Sequence, residues 1–210
     1  MMELFVVAFG ALFSIMNPLS TVPMFVGLTH GHTKAERVNI AIKTAVNVIV
    51  ILVISYFLGK YILVFFGVSL NSLKIAGGLI IATSGFALLT GKFTEHKGMK
   101  KSKAITDAET REDIALTPLA IPMIAGPGAI SLLITYNQES TGLQYNLVIM
   151  GAIVLAGILI FLMLRSSSAI VKVLGASGIN ALSRIIGFIV IAIGIEFVIT
   201  AGLDVIKLIE

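Results

Sequence analysis

Six apolar runs set the limits on what this chain can fold into. They lie at about 4–28, 40–62, 73–91, 114–136, 144–164 and 185–203. Roughly 20 helical residues cross the hydrocarbon core of a bilayer, so each run is predicted to be one membrane span. Composition agrees: of 210 residues, 57% are hydrophobic and 12% are charged, well below the roughly 25% charge of soluble domains. The chain reads Met1-Met2-Glu3 and then turns apolar, with no basic leader, and the run continues past Phe25. That pattern predicts a retained first span rather than a cleaved signal peptide.

The charges that remain are unevenly placed. Residues 92–113 hold Lys92, Glu95, Lys97, Lys100, Lys101, Lys103, Asp107, Glu109, Arg111, Glu112 and Asp113. This solvated linker divides the chain into a first three-helix unit (1–91) and a second (114–210). Six spans put the 1–2, 3–4 and 5–6 loops on one side, with twelve of the 15 basic residues, and leave Lys60, Lys74 and Lys207 on the other. The positive-inside bias then predicts a cytoplasmic 92–113 and extracytoplasmic termini. It also explains the net charge of +4 without a nucleic-acid partner.

Several chemistries are excluded or unsupported. The absence of cysteine rules out disulfides, thiolate metal sites and thiol catalysis. His30 and His32 are two imidazoles without further ligands, so no metal site is expected. Ile81-Ala82-Thr83-Ser84-Gly85 lacks the first glycine of an intramembrane serine-protease elbow, and there is no phosphate loop, intramembrane histidine or aspartate pair. Neither an enzyme nor a cofactor is expected.

The two halves repeat. Asn71, Leu73, Gly78, Ile80 and Gly85 recur as Asn180, Leu182, Gly187, Ile189 and Gly194, each 109 positions later, and Pro18 and Pro127 share that offset. Gly67-Val68-Ser69 resembles Gly175-Ala176-Ser177 with a shift of one. Three spans per copy make the second copy enter the membrane from the opposite face. The predicted fold is an all-α integral membrane protein of six transmembrane helices in two inverted three-helix repeats.

All five prolines fall in two stretches, Asn17-Pro18-Leu19-Ser20-Thr21-Val22-Pro23 and Pro118 to Gly128. Proline removes a backbone donor and breaks the helical ladder. In lipid, broken backbone is tolerated only where protein or a wet cavity satisfies it. Pro18 and Pro127 lie near the middle of their runs, so the first and fourth helices are predicted to be discontinuous near the bilayer midplane. Asn17 and Gly126 would cap new half-helices, with proline at the first position. Such N-termini favour anions. The candidate substrate contacts are Ser14, Asn17, Ser20, Thr21, Ala125, Gly126, Gly128, Ala129 and Ser131. Opposed amides and carbonyls suit a small zwitterion; two proline kinks without a ligand are the alternative. Glu196, deep in the sixth run, and Asn47, in the second with Thr44, are coupling candidates. Lys74 and Arg184 are expected to snorkel to the interface.

Phe13-Ser14-Ile15-Met16-Asn17-Pro18-Leu19-Ser20-Thr21-Val22-Pro23-Met24-Phe25, with Leu28-Thr29 and Thr33-Lys34-Ala35-Glu36-Arg37, resembles the first motif of the MarC family. Phe66-Gly67-Val68-Ser69 with Lys74-Ile75-Ala76-Gly77-Gly78 resembles its third-helix motif, and Pro118-Leu119-Ala120-Ile121-Pro122 with Ala125-Gly126-Pro127-Gly128-Ala129-Ile130 its most specific signature. The family often has glycine where this chain has Ser20. The resemblance covers the whole chain and implies a six-helix, multi-pass protein of the plasma membrane. Members include SnatA-type transporters that accept glycine and alanine; others carry a historical multiple-antibiotic-resistance label.

The expected function is secondary active transport of small neutral amino acids by alternating access at the midplane breaks. A proton or sodium gradient would drive it, since no nucleotide site is present. Membrane lipid is the surrounding partner, and homo-oligomerisation stays open. Export of other metabolites or amphipathic compounds, a passive channel and a membrane scaffold are the alternatives.

Overall fold

A computed structural model describes residues 1–91, 114–139 and 142–207, so the charged linker expected at 92–113 lies outside the described residues. Helix α1 (Met2–Met16) ends where Asn17 turns left-handed, and α2 (Pro18–Leu28) starts immediately after it. The two meet at a bend of about 40°. Helix α3 (Lys34–Phe66) opens on a capping box, in which Thr33 and Glu36 satisfy each other's backbone amides. It closes at Gly67 (φ 64°). There the Val68 N–H donates to the Leu63 carbonyl at 2.9 Å and the Gly67 N–H to the Val64 carbonyl at 3.1 Å, a Schellman motif. Ser69 then caps α4 (Leu70–Thr90). The left-handed conformation of Gly67, open to glycine because it lacks a Cβ, thus ends α3 and lets α4 begin after only three residues.

The second half begins with α5 (Ala115–Ile124), whose hydrogen bonds run to the fifth preceding residue: Leu119 N–H to the Ile114 carbonyl at 3.4 Å and Ala125 N–H to the Ala120 carbonyl at 2.9 Å. Two prolines in this segment cannot donate to an α-helical ladder, and the wider π register accommodates them. Helix α6 (Pro127–Glu139) follows, then α7 (Leu143–Arg165) and α8 (Ser167–Ile206), which is kinked at Gly175 (φ 61°, ψ 177°).

Every regular element among the described residues is helical. Four helices, α3, α4, α7 and α8, are each long and apolar enough to span a membrane, and the bent α1–α2 pair makes a fifth. The sequence predicts six. The run at 114–136 is divided into α5 and α6, of 10 and 13 residues, each shorter than a bilayer requires. The expected second span, 40–62, is the middle of a 33-residue helix, roughly 50 Å long. Its polar start, Lys34 to Asn39, is outside the apolar run but continues the helix from the cap.

The core runs along the centre of the bundle, with Leu12, Met16, Val48, Leu52, Tyr56, Leu132, Ile149, Ile153 and Ile160 almost fully buried. A part-buried hydrogen bond from the Tyr56 hydroxyl to Asn146 Oδ1 (2.7 Å) ties α3 to α7. Large apolar side chains such as Val64, Phe65, Phe66, Ile185 and Phe188 point outward, as a lipid-facing surface requires. Helices α4 and α8 pack antiparallel along a glycine seam. A Cβ on Gly78 would sit 2.5 Å from the Gly194 carbonyl oxygen, and one on Gly85 would sit 2.7 Å from that of Gly187. Only glycine allows these backbones to approach so closely.

Candidate functional site

The site begins at one residue. Among the described residues Asn17 is the only non-glycine at positive φ (40°, ψ 65°). Asparagine tolerates this region better than other side-chain-bearing residues. Its N–H completes α1 by donating to the Phe13 carbonyl at 3.0 Å. It is fully buried. Its side chain does not cap α2 through the backbone. Instead Asn17 Nδ2 donates to Ser20 Oγ at 2.8 Å, and Ser20 Oγ lies 2.8 Å from Ser183 Oγ of α8. The break is therefore anchored to a third helix by a short polar chain.

What the chain leaves over is informative. Asn17 Oδ1 and Thr21 Oγ1 are buried with no hydrogen-bond partner among the described residues. Buried polar atoms are almost always satisfied, so an orphaned pair at a helix break requires explanation. Pro23, inside α2, adds to the polarity because it cannot donate to the Leu19 carbonyl. Thr44 Oγ1 on α3 and Thr135 Oγ1 and Asn137 Oδ1 on α6 are buried and unpartnered as well.

The second break, Ala125-Gly126 before Pro127, packs beside the first. A Cβ on Gly128 would lie 3.2 Å from Ile15 Cγ2 and 3.0 Å from Ile81 Cγ1. Gly128 thus brings α6 against the end of α1. Its small size permits this close packing. Ala125, Gly126, Ala129 and Ser131 are also buried. Ser131 Oγ reaches the Leu73 carbonyl at 3.5 Å and abuts Gly77, where a Cβ would overlap the hydroxyl. Ser14 is half-buried on α1.

One cluster was missed by sequence reasoning. Lys74, expected to snorkel, is 6% exposed. Its Nζ lies 2.6 Å from Glu139 Oε1 on α6 and 3.6 Å from Asp204 Oδ2 on α8. Its position inside an apolar run was the available signal. The partners, distant in sequence, were not legible. Glu196 stands apart from these groups on the exposed face of α8, and Asn47 is half-buried on α3. No group of three His, Cys, Asp or Glu side chains among the described residues could hold a metal ion.

The family model described as "MarC family integral membrane protein" matches residues 2–206. The chain belongs to the MarC family. Within it, the chain is 38% identical to the UPF0056 membrane protein YhcE of Escherichia coli (strain K12) over 192 residues, 91% of this chain and 88% of that relative. It is 36% identical to the UPF0056 inner membrane protein MarC of the same strain over 207 residues, 93% of this chain and 92% of that relative. No solved structure matches. Membership identifies this MarC-family chain as an integral membrane protein, in agreement with its apolar helices.

Proposed function

We propose that this MarC-family protein is a secondary transporter of small neutral amino acids, glycine and alanine first, seated in the plasma membrane. The observation that carries the reading is the buried, incompletely satisfied break at Asn17. The first amides of α2 and the Thr21 hydroxyl are donors suited to a carboxylate. Asn17 Oδ1 is an acceptor suited to an ammonium group. Both lie in a confined interior beside the Ala125-Gly126 break, which favours a ligand with few atoms. Ser14, Ser20, Ala129 and Ser131 complete the proposed lining.

The fold supports alternating access. In this reading α5 and α6 together form a sixth, broken span, and 1–91 and 114–210 are inverted repeats. The glycine seam has the expected symmetry. The 109-residue offset turns Gly78 into Gly187 and Gly85 into Gly194, so it exchanges the Gly78–Gly194 contact with the Gly85–Gly187 contact. An axis relating two inverted copies requires this exchange. Gly67 and Gly175, the shifted pair, both adopt positive φ. The charge bias then puts both termini outside and 92–113 in the cytoplasm. On that topology the Lys74–Glu139–Asp204 cluster closes the extracytoplasmic end. Opening there separates α4, α6 and α8, and a proton or sodium ion can replace Lys74 at the carboxylates. Glu196 and Asn47 are second choices for coupling.

The test is uptake of radiolabelled glycine into proteoliposomes, with a proton gradient, a sodium gradient or neither. Saturable uptake that rises with one gradient is expected. No saturable, gradient-dependent flux of any small amino acid would overturn the proposal.

A further inference from the structure

The end of the bundle opposite Lys74 contains a cavity of about 650 Å³ between the turn before α3 and the α7–α8 junction. His32, Lys34, Arg37 and Arg165 stand around it, over an apolar floor that includes Phe25 and Leu164. The cations come from two separate parts of the chain, so their convergence is a product of the fold. Ion pairs among the described residues involve Lys74 alone. Glu36, the acid nearest in sequence, is occupied by the Thr33 N–H and hydroxyl at 2.7 and 2.9 Å. Arg37 is held in place by donating to the His32 and His30 carbonyls at 3.2 and 3.0 Å. Those are neutral acceptors, so its charge is left uncompensated. Arg165 lies 5.9 Å from the centroid of the Phe161 ring.

The third side of the cavity is Ser166-Ser167-Ser168 at the start of α8. The amides of Ser167, Ser168 and Ala169 precede the intrahelical bond from Ile170 N–H to the Ser166 carbonyl (3.0 Å). Such first-turn amides sit at the positive end of a helix dipole. Ser167 lines the cavity and is 3% exposed. A buried serine, first-turn helix amides and basic side chains from two parts of the chain thus line one space.

We propose that this cavity binds the phosphate group of an anionic ligand. A phosphate has the several oxygens needed to meet donors arriving from three directions, which a carboxylate lacks. The cavity is far larger than one phosphate, so the ligand carries a further group over the Phe25 and Leu164 floor. An anionic phospholipid headgroup and a soluble phosphate ester share this chemistry. Basic pockets between membrane helices commonly recruit the former. The inference does not depend on the transport reading.

Thermal unfolding of the full chain tests it in three settings: phosphatidylcholine nanodiscs, discs containing phosphatidylglycerol, and phosphatidylcholine discs with added glycerol 3-phosphate. Stabilisation by phosphatidylglycerol alone assigns a lipid headgroup; stabilisation by glycerol 3-phosphate assigns a soluble ester. Lys34→Gln and Arg165→Gln should each raise the ligand concentration needed for half-maximal stabilisation roughly fivefold, whereas Lys172→Gln, an exposed residue outside the cavity, should leave it unchanged. No stabilisation of the wild type in either phosphate arm, or equal weakening by Lys172→Gln, would overturn the proposal. Should Arg165→Gln fail to fold, Lys34→Gln and the wild-type comparison still decide.

Discussion

At Asn17 the backbone and the side chain do separate work, and substitutions can part them. The left-handed backbone turns α1 into α2; the carboxamide holds Ser20 and leaves Oδ1 unpartnered. Asn17→Gly keeps the turn and deletes the carboxamide. Asn17→Ala also strains the turn, by about 1–2 kcal/mol. The melting temperature of Asn17→Ala in detergent should therefore fall below that of Asn17→Gly. The reverse order would mean that the backbone strain is relieved elsewhere. A second residue-scale prediction concerns Glu36. The Thr33 backbone N–H, then its hydroxyl, hold the exposed Glu36 carboxyl below the usual carboxylate range; slight desolvation opposes this and His32 adds to it. A lowered folded pKa means that the contribution to stability is complete above the ordinary carboxyl pKa and is lost as pH falls through the lowered value. Acidification should fray the first turn of α3, read as lost protection of the Arg37 amide, which bonds to the Thr33 carbonyl at 3.0 Å. Glu36→Gln should remove that pH dependence; an unchanged profile would assign it to another group.

At the scale of elements, two contacts join α4 to its neighbours by different physics. The glycine seam is steric. Gly78→Ala puts a methyl group against a backbone oxygen, which cannot move aside as a flexible side chain would, and should cost about 1–3 kcal/mol. Gly202→Ala on the same helix pair meets open space and should stay within about 0.5 kcal/mol. Equal melting temperatures for the two would show that the helices are not held at this distance. The Lys74 cluster is electrostatic and asymmetric. Lys74→Met leaves Glu139 and Asp204, whose side chains are 40% and 47% exposed, free to rehydrate, so the loss should be below about 1 kcal/mol. Glu139→Gln with Asp204→Asn strands a buried ammonium group, and about 3–5 kcal/mol is expected. Thermal unfolding of both variants checks the order.

For the whole molecule, the legible part of the fold was the part controlled locally. Pro18 fixes its own φ and Asn17 accepts a left-handed turn, so that break was visible in two residues. The break before Pro127 is visible from its proline alone, since no left-handed residue precedes it, whereas the π-helical path of 115–124 is not visible. Apolar periodicity does not separate bonds to the fourth residue from bonds to the fifth. The reach of α3 beyond its apolar run was hidden because membrane hydropathy reports lipid contact, while a capped helix continues into polar sequence. Sequence alone sends Lys74 to the interface because its two carboxylates arrive from α6 and α8 only after folding. Gly128 stands among the candidate substrate contacts on sequence; that Ile15 and Ile81 lie against it is legible only with the neighbouring helices in place.

The central claim is that the polar break at Asn17 is where a small amino acid crosses the membrane. The most direct measurement compares gradient-driven glycine uptake by wild type and Asn17→Gly in proteoliposomes, at matched incorporation and with both melting temperatures recorded. The account predicts saturable wild-type uptake and at least a tenfold loss in Asn17→Gly with folding retained, since a hydrogen bond to a charged group contributes about 1.5–3 kcal/mol and tenfold corresponds to about 1.4 kcal/mol. Undiminished uptake by Asn17→Gly would contradict it.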